Sequence, residues 1–164
     1  MPDFANILQT TEESLKELFT TFNTTEKGEG IVPCINRTDY NVYGYHLDIT
    51  VQPKQLLETV EAIDRLEYFI ESITGVDWPK EDEIEAVYDF NRYDENSFRI
   101  VVRTRCDRQA PVIPSITSIY SGANWHEREA RDFFGIDFTG HPHLIPLLLP
   151  EDADFHPLLK DFKG

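Results

Sequence analysis

Two hydrophobic periods divide the chain. Leu15, Leu18, Phe19 and Phe22 recur at i, i+3, i+4 and i+7 behind Thr10–Thr11–Glu12–Glu13, which reads as a capping box. A first amphipathic helix is expected there, closed by Gly28 and Gly30. Ile31 to Ile35 reads as a short strand that Pro33 confines to a sheet edge. Tyr45, Leu47, Ile49 and Val51 then alternate with His46, Asp48, Thr50 and Gln52, giving a half-buried strand with His46 on its solvent side. Pro53 suits a first helical position, and Leu56, Leu57, Val60, Ile63 and Leu66 trace an apolar face, with Glu58, Glu61 and Asp64 solvated. Tyr68 to Ile73 reads as a strand ended by Gly75, with a polar connection from Trp78 to Glu83. Ile84, Ala86, Tyr88 and Phe90, then Phe98, Ile100, Val102 and Thr104, alternate with polar partners around a turn at Asp94–Glu95–Asn96, a hairpin signal. Its outward carboxylates and Arg99, Arg103 and Arg105 are expected to pair across the strands. Pro111 and Pro114 break the pattern before a helical turn around Ile116–Tyr120.

The last periodic stretch is the helix leading to Gly135. Ser121 or Asn124 is its expected N-cap, with Glu127 in capping-box position behind Asn124, and Gly135 supplies the left-handed stop. Glu127 and Arg131 are spaced as a surface pair. Trp125, Glu129 and Phe133 share a stripe, so Glu129 is buried if that stripe meets a core or partner, and then needs a cation or several donors. From Ile136 onward Pro142, Pro146, Pro150 and Pro157 rule out a continuous helix or central strand. The segment nevertheless carries ten large apolar residues, Phe138, Leu144, Ile145, Leu147, Leu148, Leu149, Phe155, Leu158, Leu159 and Phe162. Burying each is worth about 1.5–3 kcal/mol, so a covering surface is expected, preferably a partner's. The fold class is thus α+β, a mostly antiparallel sheet with helices on one face. Residues 1–135 form the domain and 136–164 an extended partner-binding arm.

Composition narrows the function. A net charge of −15 over 164 residues disfavours nucleic acid and anionic membrane surfaces. The N-terminus carries no signal-peptide pattern, and Leu147–Leu149 lies between two prolines, so membrane association is expected only through other subunits. Cys34 and Cys106 make no C-x-x-C, and Gly28-Glu29-Gly30 is no phosphate loop. Four of the five histidines, His126, His141, His143 and His156, lie near Glu127, Glu129 and Asp132, the one constellation that suggests a metal-dependent enzyme. The H-E-x-x-H pattern fails at Ala130. Histidines packed at a protein interface are the commoner explanation, and an adaptor for an unrelated partner is a further alternative.

Trp125-x-Glu127-Arg128-Glu129-x-x-Asp132-Phe133-Phe134-Gly135-Ile136-x-Phe138 and His141-Pro142 resemble the signature of the 30 kDa subunit of complex I, the NADH:quinone oxidoreductase. Leu147-Leu148-Leu149-Pro150-Glu151-Asp152, the ending from Pro157 to Phe162, Thr74–Asp77 and Pro114–Ile116 fit the same family, which also supplies the equivalent subunit of energy-converting NiFe hydrogenases and deazaflavin-dependent dehydrogenases. Ile145 and Leu159 stand where the family commonly has arginine. The resemblance implies a subunit with no catalytic residue, metal or cofactor of its own, peripheral on the cytoplasmic side of the cytoplasmic membrane. Its implied partners are a large catalytic subunit (quinone-site or NiFe type) and a small iron–sulfur subunit, which hold iron–sulfur clusters and nickel–iron or flavin. Trp125, Glu127, Arg128, Glu129, Asp132, Phe133, Phe134, Gly135, His141, Pro142, Leu147, Leu149 and Pro150 are implied as interface or structural positions. Glu129 is expected to pair with a basic group, and Arg128 with a carboxylate or backbone carbonyls.

Overall fold

The computed structural model describes residues 4–25, 32–93 and 97–164. The helix α1 (Phe4–Thr25) begins well before Thr10, so Thr10 and Thr11 lie inside it rather than capping it. Gly28, Gly30, Ile31 and the turn at 94–96 lie outside the described residues. Five strands form the main sheet in the order β1 (Cys34–Arg37), β2 (Leu47–Val51), β5 (Ser97–Asp107), β4 (Glu83–Tyr93) and β3 (Phe69–Trp78). All neighbours are antiparallel except β2 and β5, which the crossover through α3 (Leu56–Arg65) makes parallel. β1 is an edge strand, as Pro33 requires.

One face of this sheet is apolar because its strands alternate. Leu47, Ile49 and Val51 meet Tyr88, Phe90, Phe98, Ile100 and Val102 in the core, under Leu15, Phe19 and Phe22 of α1 and Leu56, Val60 and Ile63 of α3. The opposite face carries the charges. Arg105 bonds Glu83 at 3.1 Å and Glu85 at 3.0 Å, and Arg103 bonds Asp48 at 3.1 Å, so the arginine stripe is taken up by carboxylates. His46 is not on a solvated face. It lies just ahead of β2, where strand alternation does not yet apply, with its ring stacked between Tyr40 and Phe98 at 4.5 Å from each.

β3 runs straight through Gly75 to Trp78 and does not end there. The residue has a packing role instead. A Cβ at Gly75 would lie 2.3 Å from Cδ2 of Phe134, so the missing side chain lets α4 (Ala123–Phe134) lie against the strand. Two short strands have no counterpart in the sequence pattern: β6 (Val112–Pro114) and β7 (Asp137–Thr139), paired in parallel. Ile136 and Phe138 are buried in the core, so packing continues past Gly135, and from Gly140 the chain, here called the arm, runs in turns and bends without helix or strand. No described helix is long and apolar enough to cross a membrane.

Candidate functional site: a helix that clamps the arm

The face of α4 that meets the sheet is Ala123, Glu127, Ala130 and Phe134, spaced four, three and four apart. Small alanines on this seam permit the close approach to β3. The N-cap is Gly122, with no side-chain cap, so neither Ser121 nor Asn124 caps the helix. Glu127 is fully buried and makes neither the capping box nor the surface pair with Arg131. Its Oε2 accepts from Ser115 Oγ at 2.6 Å and its Oε1 from the Ile116 backbone N–H at 2.7 Å. Burial pushes its carboxyl up to about 7, and these two donors only partly offset that. The buried acid of the helix is therefore Glu127, which ties α4 to the loop after β6. Glu129 is exposed, like Trp125, and enters no ion pair among the described residues.

The next face of α4 holds the arm, and it does so through backbone. Oδ2 of Asp132 accepts three consecutive amides, Leu147 at 2.9 Å, Leu148 at 2.7 Å and Leu149 at 3.1 Å. Burial alone would raise the Asp132 carboxyl, but the three N–H donors, with Arg131 nearby, hold it below the usual carboxylate range. Arg128 donates from Nε to the Ile145 carbonyl and from Nη2 to that of Pro146, both at 3.0 Å, while its guanidinium lies 5.3 Å from the centre of the Trp125 ring. The contact at Ile145 thus needs only its carbonyl, whatever side chain stands there.

The histidines fasten the chain to itself. Nδ1 of His141 accepts from the His143 N–H at 3.0 Å, so its proton sits on Nε2, facing the Asn124 carbonyl at 3.3 Å. His156 donates from Nδ1 to the Asp132 carbonyl at 2.9 Å, and its ring lies 2.8 Å from where a Cβ on Gly135 would stand. Gly135 is left-handed at φ 79°, so both its conformation and this contact favour glycine. Leu158 N–H bonds the Phe133 carbonyl. Among the described residues, no group of three His, Cys, Asp or Glu side chains is placed to hold a metal ion.

A second anchor holds the end of the arm. Buried Asp77 on β3 takes a bidentate Arg108 at 2.7 and 3.1 Å and the Lys160 N–H at 2.7 Å, and Arg108 reaches on to Asp161 at 2.6 Å. Arg108 holds the Asp77 carboxyl well below its usual range. Trp78 lies between the guanidinium of Arg105 and the ammonium of Lys160. Arg108 goes unmarked in the sequence, Asp77 and Ser115 enter only within stretches that fit the family, and His156 only within the histidine cluster. Their partners lie 12 to 83 positions away, and no local pattern encodes such pairs.

Leu144 and Leu159 of the arm pack against the core, while others of its apolar side chains stay exposed. Leu148 is 60% exposed and Leu158 52%, with Ile145, Phe155 and Phe162 also exposed. Leu147, Leu149 and Phe133 are half-buried, and Pro142 and Pro150 are exposed.

An α+β platform whose last helix holds an irregular C-terminal segment to its surface by backbone hydrogen bonds is the class of protein that the fold and these contacts define. The chain belongs to the family of the respiratory-chain NADH dehydrogenase 30 kDa subunit, whose model matches residues 49–164. It is 45% identical over 94 residues to a subunit of the F(420)H(2) dehydrogenase of Methanosarcina mazei, covering 57% of this chain and 59% of that subunit's length. It is 39% identical over 120 residues to an NADH-quinone oxidoreductase subunit from a Roseiflexus species, covering 70% of this chain and 68% of that one. Its fold is similar to a chain of an archaeal respiratory membrane complex, the membrane-bound sulfane sulfur reductase, with TM-score 0.71 and 26% identity over 94% of this chain and 86% of that one. A trypsin-resistant fragment of Nqo5 shares the fold, with TM-score 0.62 and 24% identity over 81% of this chain and 98% of the fragment.

Proposed function

We propose that this chain is a docking and assembly subunit, itself without cofactor or catalytic residue, in the peripheral part of a complex-I-like membrane oxidoreductase. The arm lies on the large catalytic subunit, and the module is completed by a small iron–sulfur subunit. Iron–sulfur clusters, and nickel–iron or flavin, belong to those partners. The chain sits on the cytoplasmic side of the membrane and reaches it only through them. The observation that carries this reading is the polarity of the arm. Asp132, Arg128 and Asp77 hold its backbone against the domain and the arm's own His156 bonds the Asp132 carbonyl, while Leu148, Phe155, Leu158 and Phe162 stay exposed. Apolar groups held outward by a built polar clamp form a surface that is stable only when covered. The family to which the chain belongs supports the kind of partner.

The test is to purify the tagged chain from its native membranes. Co-purification of an iron–sulfur absorbance and a stoichiometric large subunit is the expected result. Arg128→Ala, which frees the Ile145 and Pro146 carbonyls, should lower recovery of the assembled complex several-fold. An Arg128→Ala chain that assembles normally contradicts the reading.

A further inference from the structure

We propose that the free edge of β3 is completed by a short extended segment of the partner, which adds to the sheet as a sixth strand and sets a basic side chain against Glu129. This deepens the docking reading above and rests on it. β3 ends the sheet, and among the described residues it is paired as a strand only with β4. Ser72, Ile73, Thr74 and Gly75 all line one groove of about 340 Å³, together with His126, Glu129 and Phe133 of α4 and Leu158 of the arm. Side chains of successive strand residues point to opposite faces, so four in a row line a groove only when the strand turns its edge to it.

Between residues 72 and 75 that edge lacks the usual protection, the charges of β3, Glu71 and Asp77, lying on either side. Phe69–Trp78 contains no lysine and no proline, and the single irregularity, a register shift between Ile70 and Ser72, precedes the open stretch. The arm hydrogen-bonds β3 only farther along, where Lys160 bonds Asp77, and meets the groove only through Leu158, so the edge length left for a strand is about the four residues named. Unpaired N–H and C=O groups on such an edge are a template for an added strand.

Charge selects the occupant. Glu129 lines the groove, is exposed, and has no ion-pair partner among the described residues, and the chain carries a net charge of −15. A second copy would bring another −15 and a second Glu129 to the same edge. A segment bearing lysine or arginine is attracted to it instead.

The experiment is amide hydrogen exchange across 70–76, on the isolated full-length chain and on the assembled complex. For the alternate amides of this stretch that are not bonded to β4, the expected result is fast exchange in the isolated chain and at least ten-fold slowing in the complex. Glu129→Lys should leave the melting temperature of the isolated chain unchanged, because Glu129 is exposed, while lowering assembly about ten-fold. Equal exchange in both states, within a complex that does assemble, overturns the strand addition and leaves the docking reading intact. Protection already present in the isolated chain, together with a dimer in sedimentation, assigns the edge to a second copy and overturns the proposal. Absence of any complex overturns both.

Discussion

Burial carries the Glu127 carboxyl to about 7, against 4.5 for an ordinary glutamate. Between those values the folded chain keeps a proton that the unfolded chain has released. Stability therefore falls as pH rises through that window and levels off above it. The size is about 3 kcal/mol, at roughly 1.4 kcal/mol per unit. His46 and His141 act in the opposite sense, because burial lowers both and the stability they contribute is lost as pH falls below 6.5. Glu127 is isolated by difference. Glu127→Gln keeps an acceptor for Ile116 and loses the charge, so in urea denaturation at pH 5 and pH 8 it should gain about 2–3 kcal/mol relative to wild type at the higher pH. Glu127→Ala leaves Ser115 and Ile116 without their buried acceptor and should cost about 2–4 kcal/mol at pH 5, a loss that shrinks by about 2–3 kcal/mol at pH 8 because the variant also lacks the buried charge. At Asp132, replacement by alanine removes the acceptor of three amides and should release the arm. Limited proteolysis should then cut between residues 140 and 164 at least ten times faster, while the melting temperature of the domain falls by only a few degrees.

Elements whose side chains alternate against a single core are legible in the sequence. Leu47, Ile49 and Val51 in β2 and the β4–β5 hairpin follow period two and are buried as it requires. The helix before Gly135 is equally clear, but its orientation is not. The aromatic stripe Trp125, Glu129 and Phe133 suggests the buried face, whereas the sheet takes the one with Ala123, Glu127, Ala130 and Phe134. Large residues mark apolar surface; here small ones mark close approach. Gly75 misleads for the same reason, because it looks like the end of a strand and in fact admits Phe134. Of the polar clamp, Arg128 on backbone carbonyls is one of the two expected alternatives, but the amides that Asp132 meets have no sequence signature. At this scale Gly75→Ala should cost about 1–3 kcal/mol through overpacking. Pairing it with Phe134→Ala should recover part of that loss, giving a coupling of about 1 kcal/mol or more in a double-mutant cycle. Independent, additive losses would mean that the strand and helix are not in contact there.

For the whole molecule, a domain that completes its own core ends in an arm that does not. The fully buried core closes with Ile136 and Phe138; beyond them Leu144 and Leu159 pack against it, and the chain is otherwise held by hydrogen bonds and ion pairs centred on Asp132 and Asp77. An arm already fastened loses less conformational freedom on docking than a loose one, which favours rapid assembly onto a preformed surface. The most direct measurement is thiol labelling of Leu148→Cys and Leu158→Cys, with Cys34 replaced, in the isolated chain and in the purified complex. Both positions should react freely in the isolated chain and at least ten times more slowly in the complex. Equal labelling rates in the two states would mean that nothing covers the arm, and would contradict the account.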